Sequence, residues 1–302
     1  MALPIIIDTD PGIDDAAAIS LALCHPNFDV KMISTVNGNV DIEKTTMNAL
    51  KLKTFFDSDV PVHKGAEKPL LNEINSASHV HGESGMDGYE FPDTSLEELT
   101  PTHSVEAMYE ILVNAKEPIT LIALGPLTNL ALLFNIYPES KSYVKEIILM
   151  GGSTGRGNVT PLAEFNIYCD PEAAHIVFNS GLPLTMIGLD LARQALFTHE
   201  FITSFKKMNQ TSSMLYNIFQ HYREDDFEIG LKLYDVFTIL YLMDSESYEV
   251  KAADVQIELQ GNLTRGATVV NFKSNYPNCS VVTSTFNNNY EQVFLDMLSE
   301  CK

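Results

Sequence analysis

The chain has 302 residues, 45% of them hydrophobic, enough for a substantial core in one large domain or two smaller ones. Its 19 Lys plus Arg against 40 Asp plus Glu leave a net charge of -21. That field repels nucleic acid and anionic membranes and suits a small neutral substrate or a cation. No stretch nears the ~18 consecutive apolar residues of a membrane span, and the N-terminus lacks the basic region of a signal peptide.

Residues 4–8 read as a buried strand and residues 14–24 as a helix closed before Pro26. A second strand is expected over 30–36 and a second helix over 42–55. The segment 72–102 is polar and rich in Gly, His and Ser, including His79, His81, Gly82 and Gly85; a long loop in a compact domain is often an active-site flap. Residues 119–124 are strand-like, and Gly125-Pro126 opens a helix with Pro in its first turn. Strands over 146–150 and 184–189 flank a helix over 171–179. Helical periodicity follows over 201–222 and 231–243, then strands over 255–259, 268–272 and 281–286, and a closing helix over 290–298. The alternation predicts a mostly parallel central sheet with helices on both faces and an active site at the C-terminal ends of the strands. No linker or repeat interrupts residues 1–302, so a single domain is expected. Cys24, Cys169, Cys279 and Cys301 lack CxxC or CxxH spacing and read as free thiols of a reducing cytoplasm rather than a disulfide or zinc site.

The first strand runs into four carboxylates within eight residues, Asp8, Asp10, Asp14 and Asp15. Like charges roughly 5 Å apart repel by ~3 kcal/mol per pair at an effective dielectric of about 20. Capping accounts for one or two of them at the helix N-terminus. The rest need a positive partner, and hard carboxylate oxygens suit calcium or magnesium.

The run Asp8-Thr9-Asp10-Pro11-Gly12-Ile13-Asp14-Asp15 resembles the N-terminal signature of the inosine-uridine-preferring nucleoside hydrolases. Asn37-Gly38-Asn39-Val40, His81-Gly82, Leu124 to Leu130, Met150-Gly151-Gly152, Gly157 to Thr160, Ala163 to Asn166 and Asp170 to Ala174 are similar to further motifs of that family. The resemblance implies calcium-dependent hydrolysis of ribonucleosides in nucleoside catabolism and salvage, by a homodimer or homotetramer. It implies metal ligation by Asp10, Asp15, Asp235 and the Leu124 carbonyl, with Asp10 also the general base. Asp14 then serves the ribose hydroxyls and nearby water, and Asp8 supports from behind. Asn158, Glu164 and Asn166 grip the 5′- and 3′-hydroxyls, and Asn39 reaches the 2′-hydroxyl. Met150 underlies the ribose or simply packs. Phe165 reads first as core, with stacking on the substrate as the minor alternative.

One position departs from the pattern. Broad, purine-active members carry His immediately before the C-terminal calcium Asp, where this chain has Tyr234. A phenol with pKa near 10 donates a proton less readily at neutral pH than an imidazole near 6.5. His81 or Tyr222 can substitute, the latter from a segment, His221-Tyr222, read as helical. The expected substrates are therefore pyrimidine nucleosides or a broad set. Two alternatives stand beside this reading. One is a calcium-dependent nucleoside-binding protein with impaired catalysis. The other is a magnesium-dependent phosphohydrolase on Asp8 and Asp10, with Arg156 and Arg193 the nearest basic residues.

Overall fold

The structure is a computed structural model that describes residues 2–222, 227–286 and 288–302. β1 (Leu3–Thr9) is buried from Pro4 onward, and a strand covered on both faces needs no polar alternation. Its Ile5 and Ile7 pack on one face with α1 (Ile13–Cys24), while Ile6 packs on the other, the two-residue period of a strand. β2 (Phe28–Thr35), α2 (Ile42–Phe56) and β3 (Val62–Lys64) complete one wing. A short helix, α3 (Ser78–His81), lies within the predicted flap. α4 (Ser104–Asn114), β4 (Ile119–Ala123), α5 (Thr128–Ile136) and β5 (Val144–Met150) follow. Then come α6 (Phe165–Cys169), α7 (Pro171–Phe178), β6 (Leu184–Ile187) and α8 (Leu189–Ala192).

The last third carries β7 (Phe197–Thr198), α9 (His199–Phe205), α10 (Gln210–Phe219), β8 (Gly230–Leu231) and α11 (Val236–Met243). It ends with β9 (Tyr248–Ile257), β10 (Thr268–Asn271), β11 (Cys279–Thr285) and α12 (Asn289–Ser299). One nine-stranded sheet has the order β10-β9-β11-β6-β5-β4-β1-β2-β3. It is parallel from β11 to β3, and β9 and β10 add an antiparallel edge. β2 and β4 flank β1 on opposite sides. The order of strand connection reverses there, and the crevice at such a switch point is where open α/β sheets bind ligands. No helix among the described residues is long and apolar enough to cross a membrane.

Several predicted elements change shape. The helix expected over 201–222 is two, α9 and α10. Asn209 starts the second, accepting from the Ser212 N–H at 2.7 Å while the Ser212 hydroxyl accepts from the Asn209 N–H at 2.9 Å, a reciprocal cap. The helix expected from Gly125 begins at Thr128, because the Leu124–Leu127 segment turns across the switch point. His221 and Tyr222 follow the end of α10 rather than extending it.

The cysteine expectation is corrected. Cys24 and Cys301 form a disulfide with their Cα atoms 5.0 Å apart, while Cys169 and Cys279 are buried free thiols. The pairing is invisible in local spacing because the partners are 277 residues apart. With two of its four cysteines paired, the chain's cysteine content does not indicate a reducing compartment. A cross-link closing so long a loop restrains the unfolded chain, so Cys301→Ser is expected to lower stability by about 2–4 kcal/mol. Thermal unfolding of both proteins, with and without reductant, checks this; a reductant-insensitive midpoint in the wild type contradicts it.

Candidate active site

At the end of β1 the chain turns through Asp10-Pro11-Gly12 into α1, and the turn organises the carboxylates. Asp15 accepts from the Thr9 hydroxyl at 2.6 Å, the Gly12 N–H at 2.9 Å and the Asn39 amide at 3.1 Å. Asn39 also donates its backbone N–H to Asp10 Oδ2 at 2.7 Å and its amide to the Asp10 carbonyl at 3.1 Å. Gly38 and Gly125 press on the Asp10 carboxylate. A Cβ on the first would lie 2.0 Å from Oδ2, and on the second 2.3 Å from Oδ1. No residue larger than glycine fits either place. Asp10 Oδ1 is buried and accepts no hydrogen bond from the described residues.

Asp235, at the start of α11, completes the cluster. Asp14, Asp15 and Asp235 each present an oxygen, and the three lie within 4.8 Å of one another. Asp10 stands outside that group. Burial raises Asp10, Asp15 and Asp235 above the usual carboxylate range; the charge of Asp15 adds to the effect at Asp10 and Asp235. Asp15 and Asp235 hydrogen-bond to each other, which requires a shared proton or a cation in its place. An all-oxygen donor set, strong mutual repulsion and an uncommitted buried oxygen together fit a hard divalent cation. The Leu124 carbonyl accepts from the Asn166 amide at 2.7 Å, and the Leu124 N–H donates to the Asp8 carbonyl at 2.8 Å.

Asp8 faces away, toward α5. Its Oδ1 accepts from the Ser34 hydroxyl at 2.5 Å and the Asn129 amide at 2.8 Å, and burial lifts the carboxyl to about 7. Asn129 also donates to the Thr35 carbonyl at 3.0 Å and accepts from the Ala66 N–H at 2.8 Å. Asn129, in the Leu124 to Leu130 motif, thus ties together three strand ends behind the carboxylates.

The remaining predicted residues converge on a cavity of about 260 Å³. Asp14, Asn39, Leu124 and Asp235 line its acidic end, and Met150, Asn158, Glu164 and Asn166 a polar wall. Asp10 and Asp15 are fully buried and do not line it. Glu164 caps α6, accepting from the Asn166, Ile167 and Gly152 N–H groups at 2.8, 3.1 and 2.9 Å. Asn158 accepts from the Phe165 N–H at 3.0 Å, and Asn166 donates to the Met150 carbonyl at 3.2 Å. The core assignment of Phe165 is corrected, because its half-buried side chain lines the cavity and joins neither apolar core.

His81, Tyr222 and Tyr234 line the same cavity. The flap docks on the carboxylate turn through the Ala77 N–H, which donates to the Asn39 carbonyl at 2.9 Å, and through His81. The Ile13 N–H donates to His81 Nδ1 at 3.1 Å. The acceptor role at Nδ1 places the ring proton on Nε2. Burial, aided by His79, lowers the His81 pKa to about 3, so the ring is a neutral hydrogen-bond donor at physiological pH. Tyr222 packs its ring 5.4 Å from that of His81. His221 is exposed and sits against Gly88 instead. Ala77, His79, Val80 and Val159 also line the cavity. Sequence reasoning located the flap and the Gly157 to Thr160 motif without assigning these four, because no periodicity marks them.

The His81 shift has a pH consequence. Its folded pKa lies below the unfolded value, so the unfolded chain binds a proton first as pH falls. The resulting stability is full above about 6.5 and is lost progressively toward about 3. Replacing His81 with Gln is expected to remove this component and flatten the fall in unfolding midpoint between pH 6.5 and 4 relative to wild type; parallel curves contradict it.

A parallel sheet with buried carboxylates at its switch point, beside a pocket lined by asparagines, a glutamate, a histidine and tyrosines, is the arrangement of an α/β enzyme site. The sequence model of the inosine-uridine preferring nucleoside hydrolases matches residues 5–292, so the chain belongs to that family and is a nucleoside hydrolase. The non-specific ribonucleoside hydrolase RihC of Salmonella enteritidis PT4 is 48% identical over 272 residues, covering 90% of this chain and 89% of the relative. Among solved structures, the plant nucleoside hydrolase PpNRh1 aligns with a TM-score of 0.89 at 30% identity, over 99% of both chains. An inosine-guanosine nucleoside hydrolase aligns at 0.91 and 28% identity, over 98% of both. The phosphohydrolase alternative fails on geometry as well. Asp8 is turned toward Asn129, and the Arg193 guanidinium is held by the Arg156 and Gly157 carbonyls.

Proposed function

We propose that this hydrolase is calcium-dependent and cleaves the N-glycosidic bond of both pyrimidine and purine ribonucleosides, releasing ribose and the free base. The observation that carries the reading is one pocket lined by Asp14 and Asp235 together with Asn158, Glu164 and Asn166. Clustered carboxylates and a carbonyl leave room for substrate and water oxygens, which suits calcium's seven or eight ligands better than magnesium's strict octahedron. Asp10, Asp15, Asp235 and the Leu124 carbonyl are the ligands implied by family resemblance, and Asp14 is near enough to share the site. When bound, the cation makes a water more acidic and a better nucleophile.

Asp10 accepts the proton of the attacking water through its uncommitted Oδ1. Asp14 and Asn39 orient the ribose hydroxyls at the acidic end, while Asn158, Glu164 and Asn166 hold the far side of the sugar. As the bond to the base lengthens, positive charge spreads over the anomeric carbon and ring oxygen, and the surrounding carboxylates stabilise it. On the base side, neutral His81 donates from Nε2, with Tyr222 and Tyr234 beside it. Neutral His81 is a hydrogen-bond donor rather than a strong acid, so the departing base is stabilised by hydrogen bonding and takes its proton from solvent on release. Such help depends little on the ring type, which supports broad use; a relative named as non-specific points the same way. Assembly as a homodimer or homotetramer is supported by the family resemblance alone.

Uridine, cytidine, inosine and adenosine, assayed for reducing sugar with and without chelator, test the proposal. Ribose from both base classes, lost on chelation and restored by calcium better than by magnesium, is expected. Release from one class alone overturns the breadth, and full activity after metal stripping overturns the calcium dependence.

A further inference from the structure

Residues 151–162 run from β5 toward α6 without helix or strand, yet they carry Asn158 and Val159 into the cavity. The ends of this loop are anchored to the sheet edge. The Ser153 N–H donates to the Thr268 hydroxyl at 2.9 Å, and Ala163 bridges to Ala267. Near Gly157 the loop doubles back so tightly that a Cβ there would lie 2.1 Å from the Ala163 carbonyl oxygen. Its outward leg is held from outside by α8 and the residue after it. Asp190 Oδ2 accepts from the Thr154 N–H at 2.6 Å. Arg193 donates from Nη1 to the Arg156 carbonyl at 2.7 Å and from Nη2 to the Gly157 carbonyl at 2.9 Å. The second carbonyl belongs to the residue immediately before Asn158.

We infer that Arg193, with Asp190, is a positioning residue for the substrate wall: the clamp on the Thr154–Gly157 leg sets where Asn158 stands against the bound sugar. The inference rests on reading Asn158 as a ribose contact. Two consecutive carbonyls turned toward one side chain match the planar fork of a guanidinium, which holds both at once; an ammonium offers a single charge point. Arg193 is exposed, so water competes for its bonds and global stability depends little on it. The leg's other bonds are local, from the Ser153 hydroxyl to the Arg156 carbonyl at 2.7 Å and from the Gly157 N–H to the Pro161 carbonyl at 3.1 Å, so Arg193 and Asp190 are what tie its outward side to α8. α8 follows β6, and the Leu189 N–H donates to the Gly152 carbonyl at 3.0 Å. The clamp therefore refers the loop to the rigid sheet.

Arg193→Ala is expected to raise KM for uridine about tenfold, the scale of one lost charge-assisted hydrogen bond. It should leave kcat within about threefold and the thermal midpoint unchanged, since the reacting groups and core are untouched. Arg193→Lys, retaining one donor point, should recover part of the KM. In a double-mutant cycle, Arg193→Ala should add nothing to Asn158→Ala if it acts through that side chain. Hydrogen exchange over residues 154–159 should speed up in Arg193→Ala. An unchanged KM, additive effects with Asn158→Ala, or unchanged exchange overturns the clamp. The exchange readout needs no turnover. If the wild type releases no ribose, the hydrolase reading fails, while faster exchange still supports the clamp.

Discussion

Asp10→Asn is expected to lower kcat by about 10²- to 10⁴-fold, the range for loss of a general base, while the fold stays intact. The amide is nearly isosteric, and it has to be, because Gly38 and Gly125 leave no room beside the side chain. An amide oxygen retains the acceptor for the Asn39 N–H but cannot take a proton from water. The substitution also removes one charge from a buried, mutually repelling cluster. The metal-free variant should therefore unfold at or above the wild-type temperature, even as turnover collapses. With calcium saturating, so that the lost carboxylate ligand does not empty the site, KM should change far less than kcat because the ribose wall is untouched. Steady-state kinetics and thermal unfolding on the same preparations check the pair. A variant retaining kcat within tenfold of wild type would remove Asp10 from the chemistry.

Asp235→Asn is the second large effect, and it separates the cation from the fold. Asp235 is held near Asp15 and Asp14 by the end of the β8–α11 connection, far from both in sequence. Removing its charge relieves repulsion from Asp15, Asp14 and Asp10. The metal-free protein should gain stability. Calcium, in contrast, should bind more than about 100-fold more weakly, beyond the loss typical of an outer-shell partner. Ligand linkage makes this visible without turnover: a site at 100 times its Kd stabilises by about 2.7 kcal/mol. The wild type should show a calcium-dependent rise in unfolding midpoint that the variant loses, so the two melting curves cross as calcium is added. An equal calcium shift in both proteins would exclude Asp235 from the cation site, and ribose release unaffected by the substitution would exclude it from the reaction.

Local chemistry made much of the fold legible. The unbroken apolar run of β1, the Gly12 turn and the acidic first turn of α1 are neighbours in the chain, so strand, turn and helix could be read directly. α2 and β5 were legible for the same reason. β3 was not, because its three residues are too short for a periodic signal. α4 was missed although Val105, Met108 and Leu112 recur at helical spacing on its buried face, because it follows directly on the flap. The break between α9 and α10 was hidden by continuous apolar periodicity on either side of the Asn209 cap. In the pocket, the motif-borne residues were legible. The flap and loop apolar residues, which touch the substrate side only after folding, were not.

By itself, the sequence singled out the candidate side chains: the carboxylates, the asparagines and the glutamate that line the pocket, and Tyr234 in place of an expected histidine. Those are matters of residue type and local order. Only the tertiary structure decided that Asp14 groups with Asp15 and Asp235 while Asp10 keeps a free oxygen. It also decided that His81 is neutral with its proton on Nε2, that Cys24 meets Cys301, and that Arg193 holds the loop before Asn158. Each of these depends on burial and on contacts between segments remote in the chain. Desolvation and Coulomb repulsion act through space, and their magnitude is set only when the sheet brings the strand ends together.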